Sequence, residues 1–237
     1  MPQIENPVFC ALDTTDIDRA VSLTRALKGH VGGVKIGFEF FYAHGRGGYD
    51  QVARQGVPIF LDIKLHDIPN TVTGGLRALM TLNPVPAIIN VHCSGGVAMM
   101  RAAAESVDGK AKLIGVTVLT SLSDADLVEI GITSERDTAD QARALAHLAQ
   151  TAGLDGVVCS THEVAGIKHA TSDEFLTVVP GIRPAGTEKG DQKRVATPGV
   201  AIGEGADILV VGRAITGADD PVSAADAILA EIEAARG

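Results

Sequence analysis

The run Phe60-Leu61-Asp62-Ile63-Lys64-Leu65-His66-Asp67-Ile68-Pro69-Asn70-Thr71-Val72 changes its period in the middle. The first half alternates. In an extended chain successive side chains point to opposite faces, so Asp62 and Lys64 share one face and Leu61, Ile63 and Leu65 the other. Beyond Pro69 apolar residues recur at three- and four-residue spacing, the period of a helix. A strand over 59–65 therefore feeds a helix over 71–82, with Asn70 as the expected N-cap. Asp67 falls just past the strand end.

The same unit repeats outward from this run. Segments rich in β-branched residues at 8–12, 34–38, 87–92, 113–119, 156–160, 176–180 and 208–211 read as further strands. Helical periodicity covers 17–27, behind an N-cap at Asp16, and also 97–107, 139–152 and 222–235. Ala87-Ile88-Ile89-Asn90-Val91 carries apolar residues on both faces, as a parallel strand covered by helices must. Eight strands alternating with helices in 237 residues predict one α/β domain over 1–237, a (β/α)8 TIM barrel. The alternative is a doubly wound open sheet. Against it, no G-x-G-x-x-G follows the first strand and no G-x-x-x-x-G-K-[ST] occurs. Gly45-Arg46-Gly47-Gly48 reads as a glycine-rich loop after the second strand. Residues 183–197, with Pro184, Gly186 and Gly190, read as a long polar loop after the seventh, either a solvated turn or a mobile lid.

Composition narrows the function. Twenty Lys and Arg against 29 Asp and Glu give a net charge of −9, which repels nucleic acid and anionic membranes. With 6 Phe, 2 Tyr and no Trp, base-stacking platforms are not expected either. An anionic substrate is still compatible with this charge, provided that its pocket is locally cationic. No membrane-spanning run or signal peptide is visible. Cys10, Cys93 and Cys159 lie far apart in apolar runs and read as buried free thiols, which fits a cytoplasmic protein.

In a parallel barrel, functional groups gather at the C-terminal ends of the strands. Asp13, Lys35, Asp62, Lys64, Asp67, His92, Thr120, Thr161, Arg183 and Arg213 are placed there. One Asp–Lys pair could be a simple ion pair on a strand tip. Asp13, Lys35, Asp62 and Lys64 on neighbouring strands form an alternating array, and burying unpaired charges costs several kcal/mol, so they must pair with one another or with a ligand. A lysine between carboxylates stays protonated. It cannot act as a Schiff-base nucleophile, but it can deliver a proton to a carbanion. His92 and Cys93 lack an evident third ligand, so no metal site is expected. Gly212-Arg213 after the eighth strand reads either as an ordinary turn or as a phosphate site, by backbone approach and a guanidinium fork.

Together these runs resemble the orotidine 5'-phosphate decarboxylase family in its shorter bacterial form. The resemblance rests on Asp62-Ile63-Lys64-Leu65-His66-Asp67-Ile68-Pro69-Asn70-Thr71 and runs along nearly the whole chain. Ala11-Leu12-Asp13, Val34-Lys35-Ile36-Gly37, Leu119-Thr120-Ser121, Val179-Pro180-Gly181-Ile182-Arg183-Pro184, Gly190-Asp191-Gln192 and Val211-Gly212-Arg213-Ala214-Ile215 support it. It implies decarboxylation of orotidine 5'-phosphate to UMP and CO2, without metal or cofactor. Lys64 would protonate C6 of the pyrimidine and Asp62 would face the leaving carboxylate. Lys35 and Asp13 would reach the ribose. Asp67, with Ile68 and Thr71, would enter the neighbour's site in a homodimer. Thr120 would bind the pyrimidine, with Pro180 beside the substrate. Arg183 and Gln192 would lie on a closing loop, and Gly212 and Arg213 would hold the phosphate.

Two other readings compete. Magnesium-dependent sugar-phosphate decarboxylase or aldolase barrels resemble this chain in an Asp-x-Lys-x-x-Asp strand, but they carry an acidic residue at the end of strand two. Lys35 stands there, and a cation repels a divalent ion. A catalytically silent nucleotide-binding barrel could keep Gly212 and Arg213 while losing the array, yet this chain has both.

Overall fold

The computed structural model describes residues 5–132, 135–184 and 196–236. Its first half runs β1 (Val8–Ala11), α1 (Ile17–Ala26), β2 (Gly33–Ile36), α2 (Phe38–Ala53), β3 (Ile59–Leu65), α3 (Pro69–Leu79), β4 (Ile88–His92) and α4 (Gly96–Val107). The second half runs β5 (Lys112–Val116), α5 (Asp124–Glu129), α6 (Thr138–Thr151), β6 (Gly156–Val158), α7 (Val164–Ala170) and β7 (Leu176–Val179). It ends with α8 (Pro198–Gly203), β8 (Ile208–Val211), α9 (Arg213–Thr216) and α10 (Pro221–Arg236). Among the described residues, eight parallel strands pair in chain order and close through β8 on β1, as the alternation predicts. Among the same residues no helix is long and apolar enough to cross a membrane.

Alternation along each strand separates two cores. Outward residues such as Cys10, Val34, Leu61, Ile89, Leu113 and Val179 pack under the helices. Inward residues, chiefly Phe9, Phe60, Ile88, Ile114, Val178 and Ile208, fill the barrel as an apolar floor. The three cysteines are buried, and burial pushes the Cys10 and Cys93 thiols up to about 12. Phe9 needs space that only a glycine opposite leaves. A Cβ on Gly33, its pairing partner on β2, would stand 2.2 Å from the Phe9 ring.

Three local expectations are corrected. Asn70 is not the N-cap of α3; Ile68 is, in extended conformation, with Pro69 at the first helical position. Proline there has its φ preset and no N–H to leave unpaired, so it moves the start forward. The second strand stops at Ile36, and the glycine-rich segment is helical, inside α2. Gly45 kinks that helix at φ 53, and a Cβ on Gly48 would come within 2.3 Å of the His44 Cβ. The fifth strand ends at Val116, short of residue 119. Asp16 does cap α1, accepting from the Arg19 N–H.

The Phe9–Gly33 contact makes a stability prediction. Gly33→Ala should destabilise the barrel by about 1–3 kcal/mol, because an overpacked interior must shift backbone or rotamers. Phe9→Leu should cost stability alone yet recover part of that loss in the double variant. Strict additivity in urea unfolding would refute direct steric coupling.

Candidate active site

The charged array assembles at the C-terminal mouth of the barrel, one layer above the apolar floor. Lys35 on β2 lies between two carboxylates, its Nζ 3.0 Å from Asp13 Oδ1 and 3.4 Å from Asp62 Oδ2. Lys64 Nζ donates to the other Asp62 oxygen, Oδ1, at 2.6 Å. The charges therefore alternate as Asp13, Lys35, Asp62, Lys64 along three adjacent strands. Gly37 leaves them room, since a Cβ there would lie 2.9 Å from Lys35 Nζ.

Asp62 is 9% exposed and Lys35 8%, so burial opposes both charges. Burial alone would lift the Asp62 carboxyl. Lys35 and Lys64, with hydrogen bonds from Lys64 and Asn90, outweigh it and hold the group below the ordinary aspartate range. Burial would likewise lower the Lys35 ammonium, but the Asp62 and Asp13 carboxylates more than compensate and raise it. Both groups are charged across the neutral range, as the array requires.

Strict alternation does not survive to Lys64. Its φ is 44°, a left-handed conformation that is costly for a residue with a Cβ. The β3–β4 register slips at the same place: Leu61 faces Ile89, whereas Leu65 faces Val91. Lys64 nevertheless projects into the mouth, where Phe38 at the start of α2 covers it, with Nζ 5.0 Å from the ring centroid. Phe38 stacks on Tyr42 behind it. Neither Phe38 nor the buried Asn90 stands out in the sequence. Asn90 is one polar residue in an apolar strand, and only the register places it against Asp62 and Lys64.

A cleft of about 440 Å³ opens over the array. Asp13, Lys35, Asp62, Lys64, Thr120, Pro180, Arg183, Gly212 and Arg213 all line it, from six strands or the loops that follow them. Four cations and two carboxylates among these residues leave 4 − 2 = +2, against the chain's −9. This is the local cationic pocket that an anionic ligand needs. The two ends of the loop after β7 are joined beside it, through a bridge between Ile182 and Ala196 and a bond from Arg183 N to Ala196 O at 2.9 Å. Gln192 and most of the expected lid lie outside the described residues.

Asp67, Ile68 and Thr71 do not join this cleft in their own chain. All three are exposed, Ile68 to 66%, and Asp67 Oδ1 accepts from the Ile68 N–H at 2.7 Å. His92 is half-buried, with its ring 5.4 Å from that of His66. Burial first, then His66 and Lys64, lowers the His92 imidazole below its ordinary value, against the pull of Asp62. Among the described residues no group of three or more His, Cys, Asp or Glu side chains is placed to hold a metal ion.

The depressed Asp62 carboxyl has a stability consequence. A lowered native value contributes stability above the unfolded value, about 3.9, that is lost as pH falls through the native one. Lys35→Met removes the largest favourable charge on Asp62 and should cost about 3 kcal/mol near neutrality. The gap between variant and unaltered protein should be full near neutrality and narrow on acidification, because Asp62, buried and without Lys35, takes up its proton in the variant before it does so in the unaltered protein. Urea unfolding across that range checks the sign, and a gap that widens on acidification would refute it.

The Orotidine 5'-phosphate decarboxylase / HUMPS family model matches residues 6–228. A protein of Novosphingobium aromaticivorans named orotidine 5'-phosphate decarboxylase is 51% identical over 229 residues, covering 97% of this chain and all of its own. One of the same name from Rhodospirillum rubrum is 50% identical over 237 residues, covering 96% of this chain and 94% of its own. The crystal structure of the Lactobacillus acidophilus orotidine 5'-phosphate decarboxylase superposes with a TM-score of 0.82 at 37% identity, covering 96% of this chain and 99% of its own. With the barrel and its charged mouth in place, these likenesses settle the kinship: the chain belongs to the orotidine 5'-phosphate decarboxylase / HUMPS family.

Proposed function

We propose that this protein decarboxylates orotidine 5'-phosphate to UMP and CO2 in pyrimidine biosynthesis, with Lys64 as the proton donor. The observation that carries this reading is the Asp13–Lys35–Asp62–Lys64 array at the floor of a net-positive cleft. The phosphate would sit against Gly212 and Arg213, with Arg183 and Gln192 closing over it. Thr120 and Pro180 would contact the pyrimidine, and Lys35 and Asp13 the ribose. This places the substrate carboxylate against Asp62. Like charges repel there, and the repulsion vanishes as neutral CO2 departs.

The chemistry needs no oxidant, metal or cofactor. The C6–carboxylate bond breaks and its electron pair stays on C6. A Lys64 Nζ proton then forms the new C6–H bond, and the resulting neutral amine regains a proton from solvent. An ammonium 2.6 Å from Asp62 Oδ1 is held beside the place where that charge develops. Lys35 at the end of β2 separates this reading from a magnesium-dependent sugar-phosphate barrel. Three buried cysteines far apart in the chain fit the reducing cytoplasm, where we place the enzyme.

The direct experiment is loss of substrate absorbance on mixing the purified protein with orotidine 5'-phosphate, with and without EDTA. Turnover indifferent to the chelator is expected. Magnesium-dependent turnover of a sugar phosphate instead would favour the rival barrels, and UMP binding without turnover a silent one. Arg213→Ala should weaken phosphorylated ligands far more than orotidine itself, and equal losses would contradict a phosphate role.

The exposed Asp67, Ile68 and Thr71 are read as reaching the active site of a second copy across a two-fold axis. An isologous homodimer then holds two composite sites. Lys64→Ala and Asp67→Ala should each lower turnover by about 10²-fold or more. After subunit exchange, one site of the mixed dimer carries both lesions and the other none. Activity should return, and none after confirmed exchange would place both residues in one chain's site.

A further inference from the structure

Asn90 is a polar residue in the barrel interior that the roles above leave without work. It is wholly buried and does not line the cleft. Both ends of its amide are taken. Nδ2 donates to Asp62 Oδ1 at 2.7 Å, and Oδ1 accepts from the Lys64 backbone N–H at 2.7 Å. This orientation is forced, because a carboxylate only accepts and a backbone N–H only donates. The bonds fall where the β3–β4 register slips and Lys64 turns left-handed. Inside the slip, the Lys64 N–H is bonded to the Asn90 side chain.

We infer that Asn90 is a positioning residue that locks the Lys64 ammonium and the Asp62 carboxylate together in the geometry their reaction needs. The inference rests on the decarboxylase reading of this site. Asp62 Oδ1 receives both Lys64 Nζ and Asn90 Nδ2, while Oδ2 faces Lys35. Two donors on one oxygen and a third on the other fix the rotation of the carboxylate. The same amide grips the backbone from which the Lys64 side chain springs, so one residue sets both partners. A residue needed only to fill this space would be apolar, as Ile88 is two positions earlier, since a buried amide is costly unless bonded.

The test compares Asn90→Asp, close to asparagine in volume, with Asn90→Leu, which keeps the branch at Cγ but is bulkier and cannot hydrogen-bond. The charged and titratable groups around position 90 are Asp62 and Lys64 on β3, Lys35 beyond Asp62 on β2, and His92 on β4 with His66 against it. On β5 its pairing partner is Ile114, between Leu113 and Gly115, which do not ionise. The pH profile of the unaltered protein supplies the baseline for His92 and His66. Turnover of orotidine 5'-phosphate is followed from acid to mildly alkaline pH, with UMP binding and thermal melting as controls.

At alkaline pH Asn90→Asp should lower kcat about ten- to hundredfold, with KM changed by less than about threefold, because a bond to a charged reacting group is lost. As pH falls, the introduced carboxyl takes up a proton and can again donate to Asp62 Oδ1, so kcat should climb relative to the unaltered protein. Asn90→Leu should lose kcat similarly, without that recovery. Near-normal kcat in Asn90→Leu would make Asn90 a space filler and overturn the proposal. So would a pH-independent loss in Asn90→Asp, or loss of UMP binding or of folding at every pH, which would mark a purely structural residue. No turnover by the unaltered protein would sink the decarboxylase reading itself, and this inference with it; turnover with any of the three preceding results would sink the inference alone.

Discussion

A buried carboxylate governs this structure. Asp62 is almost entirely out of water, and an ionised carboxylate there is tolerable only if each oxygen is compensated. Its partners come from three strands: Lys35 from β2, Lys64 from β3 itself and Asn90 from β4. They meet only when those strands pair in the observed register. The barrel must close for the charge to be bearable, and the charge makes an alternative register costly. Stability and site geometry are here one constraint seen from two sides.

The layering of the barrel keeps that constraint local. Phe9, Phe60, Ile88 and Ile114 seal the interior beneath the array and deny its charges an aqueous neighbour from below. Solvent reaches the array from the mouth, where Asp13 is exposed while Lys35 and Asp62 are not. Polarity thus rises steeply from the floor to the opening. A ligand that covered the mouth would shut out the remaining water and strengthen every electrostatic interaction beneath it. The excess of positive charge around the cleft, in a chain that is acidic overall, points that effect at anions.

Much of this can be read in one dimension, for identifiable reasons. β3 declares itself because alternation and charge coincide in a single run, and the eight-fold repeat follows from the apolar segments on both sides of it. The cleft residues after β5, β7 and β8 follow once the strand ends are placed. What escapes is whatever tertiary register decides. Helix α2 hides because Gly45, Gly47 and Gly48 imitate a loop, although Gly48 is a packing requirement against His44. Asn90 carries no local mark, since an asparagine in a strand becomes informative only when its neighbour's carboxylate is known. The left-handed Lys64 is invisible for the same reason: alternation describes a regular strand and says nothing of where one slips.

That slip explains how ten residues can serve two places. A β3 that stayed regular would keep its pairing with β4 in step to the end. Instead the chain turns at Lys64, after the last inward carboxylate has been delivered, and the register with β4 shifts by two residues before Leu65. The following residues leave the barrel wall, and Asp67 and Ile68 emerge at the surface with the Asp67 side chain bonded to its own turn. Pro69 then starts α3 at once, which holds the exit rigid. The backbone strain at Lys64 therefore separates an inward pair, Asp62 and Lys64, from an outward carboxylate only three residues later. Asn90 bonds the N–H at that turning point, so it also anchors the place where the motif divides.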